Sequence, residues 1–139
     1  MVPFSKVIMI DDDPTNNQLC KMVFMRTYPK TDFIIYEDGW LALKALKADH
    51  AIWKSKSKTV ILLDVDMPHM DGWEFLEEYS QLSDEVKQNF HVFILSSSSS
   101  PKDVERAKGN PLVKRYFVKP LKHWIIEEIE QLMNNASVS

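Results

Sequence analysis

The chain has 139 residues, 45% hydrophobic and 27% charged, which suits one globular domain over residues 1–139 and excludes a disordered or fibrous chain. A formal charge of -3 excludes a general attraction to nucleic acid, and no apolar run is long enough to span a bilayer. With Cys20 as the single cysteine, no intrachain disulfide can form, and the opening MVPFSKVIMI lacks a signal-peptide layout, so a cytoplasmic address is expected.

Lys6 to Ile10 (KVIMI) is a short apolar run rich in branched residues and predicts a buried strand. Asp13 is a good helix N-cap and Pro14 suits the first helical position, so a helix runs from there to about Tyr28, where Pro29 stops it. Cys20 lies on that helix beside Leu19 and Val23, and reads as a buried or half-buried thiol. Phe33 to Tyr36 predicts the second strand. Asp38-Gly39 then turns the chain into a helix carrying Leu41, Ala42, Ala45 and Leu46. The basic cluster Lys54, Lys56 and Lys58 alternates with serine and reads as a solvated loop.

Val60 to Leu63 predicts the third strand, ending on Asp64. Pro68 and Gly72 punctuate the loop that follows. Trp73 to about Leu82 predicts a helix with Phe75, Leu76 and Tyr79 facing inward. Val92 to Leu95 predicts a fourth strand ending on Ser96, and a short polar helix starts near Pro101 and stops at Gly109. Arg115 to Val118 predicts the fifth strand, ending on Lys119. Leu121, Ile125, Ile129 and Leu132 mark the core stripe of a last helix. Trp124 and Ile126 lie off that stripe and read as partly buried, with an exposed docking patch as the other reading.

Strands alternate with helices five times, which implies an α/β fold: a parallel sheet with helices on both faces. In such sheets a ligand sits beyond the carboxyl ends of the strands. Asp11 and Asp12 follow the first strand, and Asp64, Ser96 and Lys119 end the third, fourth and fifth. All five therefore converge on one crevice. Any one of them alone would be a cap, a turn former or a surface residue. Two unit charges about 4 Å apart repel by about 4 kcal/mol at an effective dielectric near 20. A crevice of carboxylates therefore calls for a hard divalent cation such as Mg2+, which takes one or two carboxylates plus water and phosphate oxygens. With a cationic lysine and a hydroxyl beside it, the set suits phosphoryl transfer, and an ionised carboxylate needs no base to act as nucleophile. His50, His69, His91 and His123 are scattered and offer no metal-ligand spacing.

The segments MIDDDP at 9–14, LLDVDMPHMDGWEFL at 62–76, ILSS at 94–97 and YFVKPL at 116–121 resemble, in this order, the receiver domain of two-component response regulators. The likeness runs from Lys6 to about Met133. It implies a flavodoxin-like, doubly wound five-stranded sheet in the order 2-1-3-4-5, similar to single-domain chemotaxis regulators. It implies Asp64 as the phosphoacceptor, and Asp12 as the direct Mg2+ ligand with Asp11 as its companion. Asp66 would offer its backbone carbonyl to the ion. Ser96 and Lys119 would contact the phosphoryl group, and Pro120 matches the family's Lys-Pro step. Ser96 and the aromatic Tyr116 would form the switch. The donor would be a histidine kinase or a histidine phosphotransfer protein, and the output an unidentified protein reached through the last two helices and fifth strand. The molecule would be a monomer or a phosphorylation-dependent dimer, with no output domain after Met133.

Ser97 stands where alanine or glycine is common, and Gly109 to Val113 replaces a glycine-rich approach to the fifth strand. The second change leaves the extent of the fourth helix open. Two other functions compete. Asp64-Val65-Asp66 fits the Asp-x-Asp pair of haloacid-dehalogenase-type phosphatases, but Pro68 and the motif's place after the third strand argue against an enzyme. A degenerate receiver that only binds partners is opposed by the intact set Asp11, Asp12, Asp64, Ser96 and Lys119.

Overall fold

The computed structural model describes residues 3–48 and 58–138. Its elements in chain order are β1 (Lys6–Ile10), α1 (Pro14–Thr27), β2 (Asp32–Tyr36), α2 (Gly39–Ala48) and β3 (Thr59–Leu63). There follow α3 (Gly72–Ser80), α4 (Asp84–Lys87), β4 (Phe90–Ser96), α5 (Pro101–Lys108), β5 (Val113–Val118) and α6 (His123–Val138). The strands form one sheet in the order β2-β1-β3-β4-β5, and every pairing is parallel. This is the doubly wound order expected from the resemblance.

The apolar runs of β1, β3 and β4 are continuous because both faces of the central strands are covered. Successive residues feed opposite cores. Ile8, Ile10, Ile61, Leu63, Val92 and Ile94 pack with Ala42, Leu43 and Leu46 of α2, Phe75, Leu76 and Tyr79 of α3, and Ala107 of α5. Val7, Met9, Val60, Leu62, Phe93 and Leu95 pack on the other side with Cys20 and Phe24 of α1 and Ile125, Ile126, Ile129 and Met133 of α6. Full burial of each such side chain stabilises by about 1.5–3 kcal/mol, so the alternation within three strands anchors all the main helices. The edge strands β2 and β5 keep exposed or half-buried positions.

Several elements differ from the sequence reading. Leu41 is exposed and Leu43 is the buried member of its helix, because Gly39, Ala42, Leu43 and Leu46 make the inward stripe. α3 begins at Gly72 and ends at Ser80. Ser83 then caps the extra turn α4, its hydroxyl accepting from the Val86 N–H, and this ends the expected helix early. Ile126 is fully buried while Trp124 is 56% exposed, so the two residues off the stripe part company. Met133 is buried and Leu132 is only half-buried. The fourth helix named in the sequence runs Pro101–Lys108 with Gly109 as its cap, as the Pro and Gly punctuation implies. His50, Lys54 and Lys56 lie outside the described residues. Cys20 is buried, and burial and then the Asp11 charge push its thiol up to about 12, so it is an inert core group.

Candidate functional site

Parallel strands end together, so the residues just past β1, β3, β4 and β5 share one rim. The register carries Ile10 beside Leu63, and Leu63 beside Ile94. Asp11 and Asp64 therefore emerge side by side, each one residue beyond its strand. The chain leaves β1 into α1 at once because Asp13 caps that helix, its carboxylate accepting from the Thr15 and Asn16 N–H groups. Beyond β3, Val65 O accepts from the Gly72 N–H at 3.0 Å, and Asp71 and Glu74 close a capping box on α3. Gly72 is required here. A Cβ at that position would lie 2.6 Å from Val65 Cα and 2.7 Å from the Asp64 carbonyl oxygen.

Asp11, Asp12 and Asp64 each offer a carboxylate oxygen, and these atoms all lie within 4.8 Å of one another. Asp11 is fully buried, Asp64 is 3% exposed and Asp12 is half-buried. Oxygen-only donors at such spacing fit a hard cation such as Mg2+. The described structure contains a partial counterion of its own. Lys119 Nζ lies 2.7 Å from Asp11 Oδ2 and 3.6 Å from Asp64 Oδ2. Burial opposes the lysine's charge, but the hydrogen bond and charge of Asp11, followed by Asp64, outweigh it and hold the ammonium above its ordinary value. Asp64 is shifted upward as well, which for a carboxylate disfavours the charged form. Burial first, and then the Asp11 charge, raise its pKa to about 6 despite Lys119.

Asp66, two residues on, is exposed, and its N–H donates to Asp64 Oδ1 at 3.3 Å. Ser96 is fully buried, and its hydroxyl oxygen accepts from the Ser98 N–H at 3.2 Å. Ser96 O in turn accepts from the Lys119 N–H at 2.8 Å, which ties the ends of β4 and β5 together just before the cis Lys119–Pro120 peptide. Tyr116 is half-buried and donates its hydroxyl to Ser98 O at 2.7 Å. Asp11, Asp12, Asp64, Asp66, Ser96, Tyr116 and Lys119 therefore lie about one rim.

Residues not singled out support it. Asn16 Nδ2 donates to Asp11 Oδ2 at 3.0 Å, and the buried Asn17 donates to Asp11 O at 2.8 Å. Ser98 links the rim to α5, its hydroxyl donating to Asp103 Oδ2 at 2.7 Å. The signal for the asparagines was their place on the first turn of a helix that starts directly after the acid pair. Ser98 was hidden in a serine run that carried no pattern. In the loop after β3, His69 adopts a positive φ of 66°, and Met70 N–H turns back to Pro68 O at 2.7 Å.

A doubly wound parallel sheet with an acid cluster, a hydroxyl and a lysine at its carboxyl edge places the chain among flavodoxin-like α/β folds with a site suited to a hard cation and an anion. Comparison narrows this further. The family model of the response regulator receiver domain matches residues 7–130, and the chain belongs to that family. The response regulator Rcp1 of Synechocystis sp. is 28% identical over 102 residues, which span 73% of this chain and 68% of Rcp1. A protein-glutamate methylesterase/protein-glutamine glutaminase of Agrobacterium fabrum is 33% identical over 82 residues, but these are only 21% of that protein. Among solved structures, a two-component response regulator of Cytophaga hutchinsonii matches with a TM-score of 0.84 and 27% identity, covering 94% of this chain and 96% of that one. A response regulator receiver protein of Dyadobacter fermentans matches with a TM-score of 0.82 and 26% identity, covering 93% and 97%. Receiver domains are signalling switches, and among the described residues no helix is long and apolar enough to cross a membrane.

Proposed function

We propose that this chain is a cytoplasmic receiver that takes a phosphoryl group onto Asp64 from a histidine kinase or histidine phosphotransfer protein and signals through protein contacts. The observation that carries this reading is the meeting of Asp11, Asp12 and Asp64 within 4.8 Å, with Lys119 against two of them. The P–N bond of a phosphohistidine breaks as a bond from an Asp64 oxygen to phosphorus forms. Asp64 is mostly ionised at pH 7 with a pKa of about 6, so no separate base is needed. Asp12, Asp64 and the Asp66 carbonyl would hold Mg2+ with Asp11 as companion, and the ion supplies Lewis-acid stabilisation of the phosphoryl oxygens.

Ser96 is suited to the phosphoryl group because its oxygen accepts from Ser98 N–H, which leaves its own hydrogen to donate. Lys119 already spans Asp11 and Asp64, and would pair with a phosphoryl oxygen once Asp64 becomes an acyl phosphate. Movement of Ser96 pulls on Ser98 N–H, and the carbonyl of Ser98 holds Tyr116, so the two switch residues are linked through one residue. Turnover as a phosphomonoesterase is disfavoured by Pro68 and by the family's switch character.

The test is intact-protein mass after incubation with acetyl phosphate, with and without Mg2+, for wild type and Asp64→Asn. We expect a Mg2+-dependent gain of one phosphoryl group that the variant lacks. Stoichiometric labelling of Asp64→Asn would overturn the site assignment.

A further inference from the structure

Asp11 is the most confined anion of the crevice, and every donor on its carboxylate comes from this chain. Oδ1 accepts from the Asp13 N–H at 2.9 Å. Oδ2 accepts from Asn16 Nδ2 at 3.0 Å and from Lys119 Nζ at 2.7 Å. Asn17, the next residue, holds the Asp11 carbonyl at 2.8 Å. The first turn of α1 thus grips both the main chain and the side chain of Asp11. Asn16 is not needed to cap the helix, because Asp13 does that, and it is half-buried at the rim, its side chain also meeting the Cys20 thiol.

The two donors on Oδ2 differ in their obligations. Lys119 also faces the charged Asp64 Oδ2 at 3.6 Å, whereas the second partner of the Asn16 side chain is the weakly polar, buried Cys20 thiol. Without that amide, a fully buried oxygen depends on the ammonium by itself, and a buried acceptor left short of donors costs about 1–3 kcal/mol. The carboxylate then turns toward Lys119 and draws the lysine from Asp64. Both motions spoil a set of oxygens that must meet one cation.

We propose that Asn16 is a positioning residue of the metal site: through Asp11 it fixes the three-carboxylate cluster for Mg2+ and keeps Lys119 shared between Asp11 and Asp64. This inference rests on the Mg2+-dependent receiver reading above.

The test is a calorimetric Mg2+ titration of wild type, Asn16→Ala and Thr15→Ala, with a thermal melt of each metal-free protein. Thr15 shares the turn, is exposed and meets Asp13 only through its backbone N–H. Loss of a residue that orients a metal ligand typically weakens affinity about 10–100-fold. We expect Asn16→Ala to bind Mg2+ roughly tenfold more weakly. We also expect Thr15→Ala to bind and melt like wild type, and metal-free Asn16→Ala to keep a cooperative melt about 3–10 °C lower, the cost of the acceptor left short of a donor. Unchanged or tighter binding by Asn16→Ala would overturn the proposal. So would equal weakening in Thr15→Ala, which would trace the loss to the helix turn. A wild type that takes up no Mg2+ would overturn the function proposed above and separates that failure from this one.

Discussion

The two halves of the rim are built on opposite principles. At the ends of β1 and β3, charges are forced together by tightly packed backbone. Asp64 is 3% exposed beside a fully buried Asp11, and Gly72 lets α3 press against the Asp64 and Val65 backbone with no room for a Cβ. At the ends of β4 and β5, apart from the Lys119 ammonium that reaches across to the acids, groups are joined by single hydrogen bonds: Ser98 N–H to Ser96, the Ser98 hydroxyl to the Asp103 carboxylate, and Tyr116 to Ser98 O. The first half holds electrostatic energy in a stiff frame. The second is held by bonds that each contribute about 1 kcal/mol net and are easily exchanged. A stiff acid cluster beside a loosely tied chain of hydrogen bonds is the division of labour that the proposed switch would require.

The comparison breaks most visibly at Gly72. In Gly72→Ala the new methyl group meets backbone, which cannot rotate away, so we expect a loss of about 2–3 kcal/mol in denaturant unfolding. A loss under about 0.5 kcal/mol would mean that the acid half is not stiff.

Asp64→Asn tests the stored charge. The folded pKa of Asp64 is raised to about 6 from an ordinary 3.8, so the folded state binds the proton more tightly than the unfolded chain does. Its contribution to stability therefore falls as pH rises from about 4 to 6, and the site is at its most costly above that window. We expect the metal-free variant to be more stable than wild type at pH 7.5 by on the order of 1 kcal/mol, after discounting for solvent screening. The advantage should fade by pH 4, as followed by thermal melts across pH. A variant less stable at pH 7.5 would show that the Lys119 pairing outweighs the repulsion.

The smallest effect is expected in the other half. Tyr116→Phe removes one hydroxyl bonded to Ser98 O and should cost about 0.5–1 kcal/mol. Its amide shift changes should gather at Ser96 to Asp103 and leave Asp11 and Asp64 still. Shifts that spread to the acid half would show the two halves to be one rigid body.

Much of this was legible from local chemistry. The five apolar runs, the Asp13-Pro14 helix start and the Pro101 and Gly109 limits of α5 depend on near neighbours, and they stand where the sequence puts them. Asp11, Asp12, Asp64, Ser96 and Lys119 were legible as a group because parallel strands all end on one edge. Boundaries that depend on packing were less so. Leu41 and Leu43 are equally apolar, yet only the angle at which α2 meets the sheet buries Leu43. Ile126 and Trp124 are neighbours but one off the helical stripe, and contact with Phe117 takes Trp124 to the margin of the core.

By itself the sequence determined the alternation of elements, the parallel sheet and the residues at its carboxyl edge, because propensity and periodicity act over a few residues. The tertiary structure decided which donors meet which oxygens. Asn16 and Lys119 are far apart in the chain, and only the packing of α1 and of the segment after β5 over the end of β1 brings both to Asp11 Oδ2. The raised pKa of Asp64 was settled at that level too, since burial and a neighbouring charge belong to the assembled rim and to no segment of the chain.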